Sequence, residues 1–364
     1  MFSLSKSDRA CILLQTTEML GVKKRYELLS MFDDIADIFD TYAKRRLDII
    51  DFCGEKFYDK LVECIEGGAV DKVLDDCSRL GITPIAYTSE LYPERLMNMS
   101  NPPLVLFCRG RIELLNSRIS LGVVGTRRAS RYGADTTKKF CKELAEHGIC
   151  IVSGMAKGID GCAHEATLSS GGDTIAVLAT GVDKVYPAEN RAIYENLITD
   201  GLVVSEYLPG SEAKPYKFPE RNRIVVALSD GILVVEAGEK SGALITLDIA
   251  IDEGRECFIV PQNVDTRTGK GSNERLRAMP HALTLDASDV LARFGIKQKG
   301  DTITDSVQLD FFEMRIVELL ETGERHFDEL LELLDVKSSE LGGILTRLEI
   351  MGVVKDLGGN FYGV

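Results

Sequence analysis

The sequence lacks the features of a membrane, secreted or metal-binding protein. No apolar run approaches the roughly 18 residues that span a bilayer, and polar and acidic side chains interrupt the N-terminal segment where a signal peptide would be apolar. The nine cysteines form no C-x-x-C pair and do not cluster with the four histidines. We therefore expect a cytosolic protein without a membrane segment, with reduced thiols in its core and no bound metal.

Positive charge is also scarce, since 43 Lys and Arg stand against 57 Asp and Glu, for a net charge of −14. This balance argues against nucleic-acid binding driven by overall charge. The cations in the middle of the chain nevertheless occur in clusters, which permits a local basic groove. The clusters are Arg127, Arg128 and Arg131; Lys214, Lys217, Arg221 and Arg223; and Arg267, Lys270, Arg275 and Arg277. For the last cluster, scattered solvated charges are an equally good interpretation.

The pattern of apolar residues predicts three domains. Residues 1–90 alternate apolar and charged positions at helical spacing, which indicates a small helical domain with a packing or interaction role. In residues 91–295, β-rich runs alternate with helical stretches, so we predict an α/β domain with an extended Rossmann-like parallel sheet. Residues 296–307 have the polar composition of a linker, and residues 308–364 follow the order of a winged helix, with three helices and a glycine hairpin.

The predicted elements of the middle domain can be placed along the chain. We interpret residues 92–110 as a proline-punctuated linker that runs into a first strand at 104–108. The next strands are predicted at residues 119–124, 149–152, 174–178, 202–204, 231–235 and 257–260, and the helices at 134–147, 160–168, 191–198 and 244–252. The loops that follow these strands meet at one edge of a parallel sheet, where ligands of such folds bind.

The charge of the predicted winged helix bears on its partner. Such folds often bind duplex DNA through the third helix. Here that helix, residues 338–351, contains Arg347 as its one cation, and residues 296–364 hold 7 basic and 14 acidic side chains. We therefore favour a protein-interaction role over DNA binding for this domain.

Two glycine-rich turns open the middle domain, GVVGTRRAS at residues 122–130 and SGMAKGID at 153–160. Each lies between a predicted strand and a predicted helix, where glycines admit a ligand close to the backbone and free N–H groups attract phosphate. Arg127 would hold phosphate bidentately, while Ser153 adds a hydroxyl and Lys157 a point charge. Neither turn has Walker A spacing, which disfavours P-loop hydrolysis of a nucleotide. The simpler alternative is a tight turn with solvated arginines, and His164 is best interpreted as a helix-packing residue.

The stretch from 214 to 237 interleaves aromatic and basic side chains. Phe218 and Tyr216 lie among the basic residues at 214–223, and this mixture suits stacking of unpaired bases beside their phosphates. Asn222 would contact a base edge or cap a helix. The alternative is that the two arginines of the RNR sequence at 221–223 pair with Glu220 or Glu206.

A third turn, EAGEKSGALIT at residues 236–246, places Glu236 at a strand end and Ser241 and Gly242 at the start of a helix. In a nucleotide hydrolase, Glu236 would act as a general acid/base or as a ribose ligand. Otherwise, it would cap the helix or pair with an arginine.

Taken together, these stretches resemble the DprA/Smf family, the DNA-processing proteins of natural transformation. The resemblance rests on YPERLMNMSNPPLVLFCRG, on both glycine turns, on TIAVLATGVDKVYPAENRAIYENLITDGLVVSEYLPG, on FPERNRIVVALSDGILVVEAGEKSGALITLDIAIDEGRECFIVPQNV and on GKGSNERL, about half of the chain. It implies an extended Rossmann domain that binds single-stranded DNA, usually as a homodimer, protects that DNA and helps to load RecA recombinase on it. It implies no catalytic activity and no cofactor. Family members also carry N-terminal helices, of the SAM or helix-hairpin-helix type, and a C-terminal winged helix.

The resemblance also transfers candidate residues by position. Gly125, Thr126 and Arg127 match the family's G-S-R phosphate site, with threonine in place of serine. The full candidate set for DNA and phosphate is Gly125, Thr126, Arg127, Arg128, Ser153, Gly154, Lys157, Lys217, Phe218, Arg221, Asn222, Arg223, Ser241 and Gly242. One departure occurs after GKGSNERL, where Pro280 and His281 stand in place of the family's small residues, which affects any dimer contact built on that turn.

Three hypotheses follow from the sequence. The first is a cytosolic single-stranded-DNA-binding protein with RecA as partner, in which the glycine turns hold phosphates and residues 214–223 form a loop for bases. The second is a Rossmann enzyme related to the lysine-decarboxylase-like phosphoribohydrolases, with Glu236 as acid/base and Arg127 on the phosphate. The third is a regulatory scaffold that acts through the acidic winged helix.

Overall fold

The computed structural model describes residues 4–296, 311–334, 336–350 and 353–363. The chain divides into two compact units, Met1–Ile296 and Lys297–Val364. Of the predicted linker at 296–307, all but Ile296 lies outside the described residues. The N-terminal helices belong to the same compact unit as the sheet, and the proposed domain boundary at residue 90 stays a prediction.

The N-terminal part of the chain is helical. Helix α1 begins at a capping box, in which Asp8 N–H donates to the Ser5 hydroxyl at 3.0 Å and Ser5 N–H donates to the Asp8 carboxylate at 2.9 Å. The apolar run that follows is fully buried, so α1 is the central helix of this region. The helices are α1 (Lys6–Thr17), α2 (Val22–Leu29), α3 (Ile38–Thr41), α4 (Arg46–Cys53), α5 (Glu55–Glu66) and α6 (Ala69–Leu80).

Strands and helices then alternate as predicted. The elements are β1 (Thr83–Ala86), α7 (Glu94–Met97), β2 (Val105–Gly110), β3 (Ser120–Val124), α8 (Arg131–Glu146), β4 (Cys150–Ser153), α9 (Ile159–Ser169), β5 (Thr174–Val177), α10 (Arg191–Asp200), β6 (Leu202–Ser205), α11 (Lys217–Ala227), β7 (Gly231–Val234), α12 (Gly242–Asp252), β8 (Glu256–Ile259), α13 (Lys270–Ala278) and α14 (Ala287–Arg293). Strands β3 to β7 are buried along their whole length, as expected for strands covered on both faces.

Within the described residues, these strands form one eight-stranded sheet in the order β1-β2-β6-β5-β4-β3-β7-β8. The six strands from β6 to β8 are parallel, whereas β2 runs antiparallel to β6 and β1 runs antiparallel to β2. Strand β3 lies in the middle, and the chain continues from it to β4 on one side and returns later to β7 on the other. This reversal creates a crevice at the carboxyl ends of the strands, where ligands of open α/β sheets bind.

The alternation of side chains along each strand builds three layers. Leu121 and Val123 of β3 pack beneath α8, α9 and α14, whereas Val124 points to the opposite face, beneath α11 and α12. The part of the sheet around β2 and β6 packs against the N-terminal helices, where Phe107 and Val203 share a core with α1 and α5. The sheet is therefore covered on both faces, as the sequence predicts.

Three features differ from the predictions. The first strand is Thr83–Ala86, which precedes the predicted strand at 104–108; it is short and contains a proline, so its pattern was too weak to detect. The supposed linker at 92–110 is packed into the core, because Tyr92 and Leu96 are buried. Residues 217–227 form helix α11 in place of the predicted loop; Pro219 stands in its first turn, a position that a helix tolerates.

The C-terminal unit has the predicted winged-helix elements. They are α15 (Phe311–Glu321), β9 (Arg325–His326), α16 (Phe327–Leu334), α17 (Ser338–Ile350), β10 (Lys355–Gly358) and β11 (Phe361–Gly363). The strands pair antiparallel in the order β10-β11-β9, so the glycine hairpin forms the wing. Ile316, Leu330 and Leu345 anchor a core of their own beneath it.

In the part of the chain that the structure describes, no helix is both long and apolar enough to cross a membrane. The same residues contain no group of three or more His, Cys, Asp or Glu side chains arranged to hold a metal ion.

Candidate functional site

A large cleft lies at the crevice beside β3, with a volume of about 1010 Å³. Its walls come from the turns after β3, β4 and β7 and from one face of α11. The candidates that line it are Gly125, Thr126, Arg127, Gly154, Phe218, Arg221, Asn222, Ser241 and Gly242. The topology thus brings together nine residues from four separate stretches of sequence, at the edge where the strand pattern placed them.

Close packing explains the glycines of the first two turns. A Cβ atom on Gly158 would lie 2.3 Å from the carbonyl oxygen of Thr126, and Gly158 has a φ of +79°. A Cβ atom on Gly125 would lie 2.5 Å from Ile159 Cγ1. The turns after β3 and β4 therefore touch each other backbone to backbone, a contact that larger residues would prevent.

Exposed Arg127 and half-buried Phe218 form a cation–aromatic pair in the cleft. The guanidinium of Arg127 lies over the ring of Phe218, 5.1 Å from its centroid, and the ring of Tyr186 lies 5.5 Å from that of Phe218. Tyr186 is 45% exposed and also borders a small side pocket of about 70 Å³. Tyr186 is not among the site residues predicted from the sequence, although its position in the loop after β5 was a usable signal.

The cleft has an excess of unpaired cations at its rim. Arg127, Lys240 and Arg267 line it and form no ion pair with any described residue. Glu239 also lines the cleft, but Lys270 neutralises it at 2.7 Å. The local charge is therefore positive on a protein of net charge −14, so anions are attracted to this edge.

Carboxylates of the protein itself occupy the N-termini of α8 and α9 at this edge. Glu236 accepts hydrogen bonds from Ser130 N–H at 2.9 Å and from the Ser130 hydroxyl at 3.0 Å, beside the start of α8. Asp160 lies in the first turn of α9 and accepts from Ala156 N–H at 3.3 Å. Because a carboxylate already satisfies each of these helix starts, phosphate has less to gain there than the sequence pattern indicated.

The N-terminus of α12 is open by comparison. Ser241 caps it by accepting from Ala243 N–H at 3.3 Å, and its first turn has no acidic residue. The N–H of Gly242 has no hydrogen-bond partner among the residues that the structure describes, and a Cβ atom there would meet nothing within 4 Å. Exposed Lys240 precedes it. Helix α12 therefore offers the best position for an anion in the cleft.

Arg221 is a buried structural residue, contrary to its predicted place in an exposed loop. It is 5% exposed, and its guanidinium donates to the carbonyl oxygens of Gly154 and Val177. Burial lowers its pKa to about 10, although Asp160 opposes this shift, and burial in turn raises the pKa of Asp160. Arg221 therefore ties the β4 turn to β5 beneath the floor of the cleft.

Five further candidates do not line the cleft. Ser153 is buried and donates to the carbonyl oxygen of Val123 at 2.6 Å, so its hydroxyl is not available to a ligand. Lys157 pairs with Glu189 and borders the small side pocket, while Arg128 is exposed but away from the cleft lining. Lys217 and Arg223 face the opposite side of α11; Arg223 pairs with Glu206, as the alternative interpretation proposed.

Two other residues have structural positions. Glu236, the acid/base of the enzyme hypothesis, is 1% exposed and does not line the cleft. His164 is buried in α9 beside Thr174, with 2.7 Å between its Nδ1 and the Thr174 hydroxyl oxygen, and burial lowers its pKa to about 3. The helix-packing interpretation of His164 therefore agrees with its position, and the geometry gives Glu236 no access to a ligand in the cleft.

The fold and this cleft define a class of protein: a Rossmann-type α/β protein with a cationic, aromatic-lined crevice, followed by a winged helix. Residues 83–295 match the sequence model of the family described as DNA recombination-mediator protein A, and residues 307–360 match the DprA winged helix domain. The first match covers more than half of the chain. The chain belongs to the DprA/Smf family.

Named relatives agree with this assignment. The chain is 39% identical over 207 residues to DNA processing protein DprA of Bacillus subtilis, covering 57% of this chain and 67% of the relative. It is 38% identical over 222 residues to DNA processing protein DprA of Streptococcus pneumoniae, covering 61% and 73%. It is also 36% identical over 250 residues to Protein Smf of Synechocystis, covering 66% and 63%. The aligned region spans about two thirds of each relative's length.

Two solved structures share the fold. The X-ray structure of DprA from S. pneumoniae superposes with a TM-score of 0.68 at 30% identity, covering 80% of this chain and 98% of that one. A structure of DprA from Helicobacter pylori, described in terms of its single-stranded DNA binding mode, gives a TM-score of 0.54 at 28% identity, covering 58% and 95%.

Proposed function

We propose that this protein binds single-stranded DNA in the cleft beside β3, with bases against Phe218 and Tyr186 and phosphates near Arg127 and the start of α12. The observation that carries the proposal is the pairing of an exposed, uncompensated Arg127 with the half-buried ring of Phe218 in the lining of the cleft. Aromatic faces accept any base, and cations accept the backbone, so this combination suits an unpaired strand. The single-stranded DNA binding described for the H. pylori relative supports it.

The binding experiment is fluorescence anisotropy with labelled single-stranded and duplex oligonucleotides across a salt series. We expect wild-type protein to prefer the single strand and its affinity to fall as salt rises. Arg127→Ala should weaken binding and reduce the slope of log K against log salt by about 0.7, the value for one phosphate contact on a single strand. Thermal denaturation of each variant checks that folding is intact.

Arg118→Ala is the matched control. Arg118 is also exposed, forms no ion pair with a described residue and precedes β3, at the opposite edge of the sheet from the cleft. Arg118→Ala removes the same charge as Arg127→Ala but lies outside the cleft. It should therefore leave the affinity for single-stranded DNA and the slope of log K against log salt nearly unchanged. Equal effects of the two substitutions would mean that net charge alone governs binding, and the cleft proposal would fail.

The wider role that we propose is protection of incoming single-stranded DNA and loading of RecA recombinase on it during natural transformation, by a homodimer in the cytoplasm. The family membership supports this role. Addition of the protein should stimulate the DNA-dependent ATPase of RecA on single strands covered with single-strand-binding protein, and Arg127→Ala should reduce that stimulation. Sedimentation analysis at several concentrations tests the dimer. No stimulation by a protein that binds DNA would reject the loading role and leave the binding site standing.

A further inference from the structure

A second groove lies on the other side of α11 and has a volume of about 880 Å³. It runs between that helix and the segment that joins α1 to α2. Phe218, Asn222 and Val225 of α11 face the first cleft, whereas Lys217, Glu220 and Arg223 face this groove. One helix therefore forms the ridge between the two, and exposed Tyr216, just before the helix, stands at its N-terminal end.

The groove is cationic. Six basic side chains line it, namely Lys23, Lys24, Arg25, Lys214, Lys217 and Arg223. The four carboxylates in its lining are Glu18, Glu27, Glu206 and Glu220, so two positive charges remain in excess. Lys24 and Lys214 are exposed and form no ion pair with any residue that the structure describes. An anion in the groove would therefore find cations that no carboxylate neutralises.

Buried donors in the groove also lack partners. Arg25 is 8% exposed, and its Nη1 donates to Gln15 at 2.6 Å, but its Nε has no hydrogen-bond partner; the same holds for Nη1 of Arg223. Both guanidinium groups interact electrostatically with the single carboxylate of Glu206. Burial lowers the pKa of Arg25, and the charge of Arg223 lowers it further. Two cations are thus held around one buried carboxylate, which leaves an excess of positive charge at the wall of the groove.

Aromatic groups complete the lining. The ammonium of Lys217 lies 4.3 Å from the ring centroid of Tyr207, and Tyr216 is 55% exposed. The combination of unpaired cations and aromatic faces is the one that suits unpaired bases and their phosphates in the first cleft. An acidic peptide fits less well, because it would leave the aromatic faces of the groove unused.

We propose that this groove is a second binding segment for single-stranded nucleic acid, which continues from the cleft over the N-terminal end of α11 at Tyr216. The proposal rests on the proposed function of the cleft and extends it. Lys24 and Lys214 contact backbone phosphates, and Tyr216 stacks on a base at the ridge.

The test uses the absence of tryptophan from the sequence. Tyr186→Trp places one indole in the cleft, and Tyr216→Trp places one at the ridge. We compare oligothymidylates of about 6 and about 20 nucleotides, which bracket the usual site sizes of single-strand-binding folds. Base stacking should quench Tyr186→Trp with either oligonucleotide, but it should quench Tyr216→Trp only with the longer one. Absence of quenching at Tyr216→Trp while Tyr186→Trp responds would overturn the proposal.

A charge test runs in parallel. Lys24→Ala with Lys214→Ala should weaken binding of the longer oligonucleotide about tenfold and lower its salt slope by about 1.4, the value for two phosphates on a single strand. Affinity for the short oligonucleotide should stay within about twofold, because salt screens charges that lie more than a Debye length of about 8 Å from it. Lys56→Ala with Lys72→Ala is the matched control. It removes the same two charges from exposed surface outside the groove. Equal weakening by both double variants would reject the proposal.

Two further outcomes separate the possible occupants. If poly-glutamate binds the wild type and loses affinity in Lys24→Ala with Lys214→Ala, while oligonucleotide binding is unchanged, the groove takes an acidic peptide and the proposal is wrong. If neither oligonucleotide quenches the indole of Tyr186→Trp or of Tyr216→Trp, the proposed function of the cleft fails first. If only Tyr186→Trp is quenched, the proposed binding in the second groove is rejected and the proposed function of the cleft stands.

Discussion

The carboxylate of Glu236 accepts two hydrogen bonds from Ser130, one from its N–H at 2.9 Å and one from its hydroxyl at 3.0 Å. Ser130 is the N-cap of α8, so this contact joins the end of β7 to the start of the helix that follows β3. The other oxygen of Glu236, Oε1, is buried and has no hydrogen-bond partner. The carboxylate is thus a fixed anion beneath the cleft, placed where the helix dipole favours negative charge.

This geometry predicts a stability effect for Glu236→Gln. The substitution removes a charged acceptor near a helix N-terminus and buries an amide in its place, so we expect a loss of about 1–2 kcal/mol in the free energy of unfolding, measured with urea. Affinity for single-stranded DNA should stay within about twofold of wild type, or roughly 0.4 kcal/mol. Turnover of a nucleoside monophosphate by the wild type, abolished in this variant, would instead support the enzyme hypothesis.

Phe218 should contribute to DNA affinity without a salt effect. Loss of its ring in Phe218→Ala removes a stacking surface worth about 1–3 kcal/mol, so affinity should fall by about 5-fold to 150-fold. The slope of log K against log salt should stay at the wild-type value because no charge is lost. Phe218→Tyr keeps the aromatic face and serves as the conservative control. A reduced slope in Phe218→Ala would show that the ring acts by holding Arg127 in place.

Arg221 should be required for folding. Arg221→Ala leaves the carbonyl oxygens of Gly154 and Val177 without their donor and leaves buried Asp160 without its nearby cation. Breaking such a buried arrangement costs about 3–5 kcal/mol. We therefore expect a lower melting temperature and loss of DNA binding only in proportion to unfolding. Full stability in Arg221→Ala, with lost binding, would return Arg221 to the role of a ligand residue that the sequence suggested.

The sequence predicted the parallel sheet, its glycine turns and the winged helix because each has a local signal: β-branched runs, glycine after a strand, and helical spacing. It could not show on which side of an element a residue lies. Arg221 and Arg223 are two positions apart, so on helix α11 one points beneath the cleft and the other toward Glu206. Once residues 214–223 are interpreted as a loop, all their cations are equally available to one ligand. Helix α11 instead divides them between two grooves, and Lys217 lines the second.

Long-range contacts were equally invisible in the sequence. Ser153 lies in a phosphate-type turn, but its hydroxyl donates to the carbonyl oxygen of Val123, 30 positions earlier in the chain. Tyr186 reaches the cleft because the β5 turn folds over against α11. Such pairings depend on strand order, which one sequence does not determine.

His164 gives a pH dependence of stability. Thr174 donates its hydroxyl to the carbonyl of Ile151, so Nδ1 of His164 must carry the hydrogen toward Thr174, and Nε2 is left bare and buried. Burial lowers the pKa of His164 to about 3, below the usual 6.5. Between these two pKa values the unfolded chain binds a proton at His164 and the folded chain does not. The free energy of unfolding is therefore highest above pH 6.5 as far as His164 is concerned, and it decreases as the pH falls below that value.

The expected size follows from 1.36 kcal/mol per pH unit, which gives a loss of about 2 kcal/mol between pH 7 and pH 5 from this group. His164→Asn keeps a donor for Thr174 but does not titrate, so its stability should change less over that interval. Exposed His281 gives the matched control, and His281→Asn should follow the wild type. Urea unfolding at several pH values decides the matter. Parallel curves for wild type and His164→Asn would show that His164 is not the group responsible.

Gly242 allows stability and DNA binding to be separated. It is the first residue of α12, it is exposed to the cleft, and a Cβ atom there has open space. A carboxylate at this position interacts favourably with the helix dipole, so Gly242→Asp should stabilise the protein by about 0.3–1 kcal/mol. The same carboxylate competes with phosphate for the free N–H groups and repels the backbone, so affinity for single-stranded DNA should fall by about tenfold or more, with the loss greatest at low salt. Gly242→Asn adds nearly the same atoms without the charge and should lower affinity much less. A rise in stability accompanied by unchanged DNA affinity would place the phosphates elsewhere in the cleft, at Arg127 and Arg267.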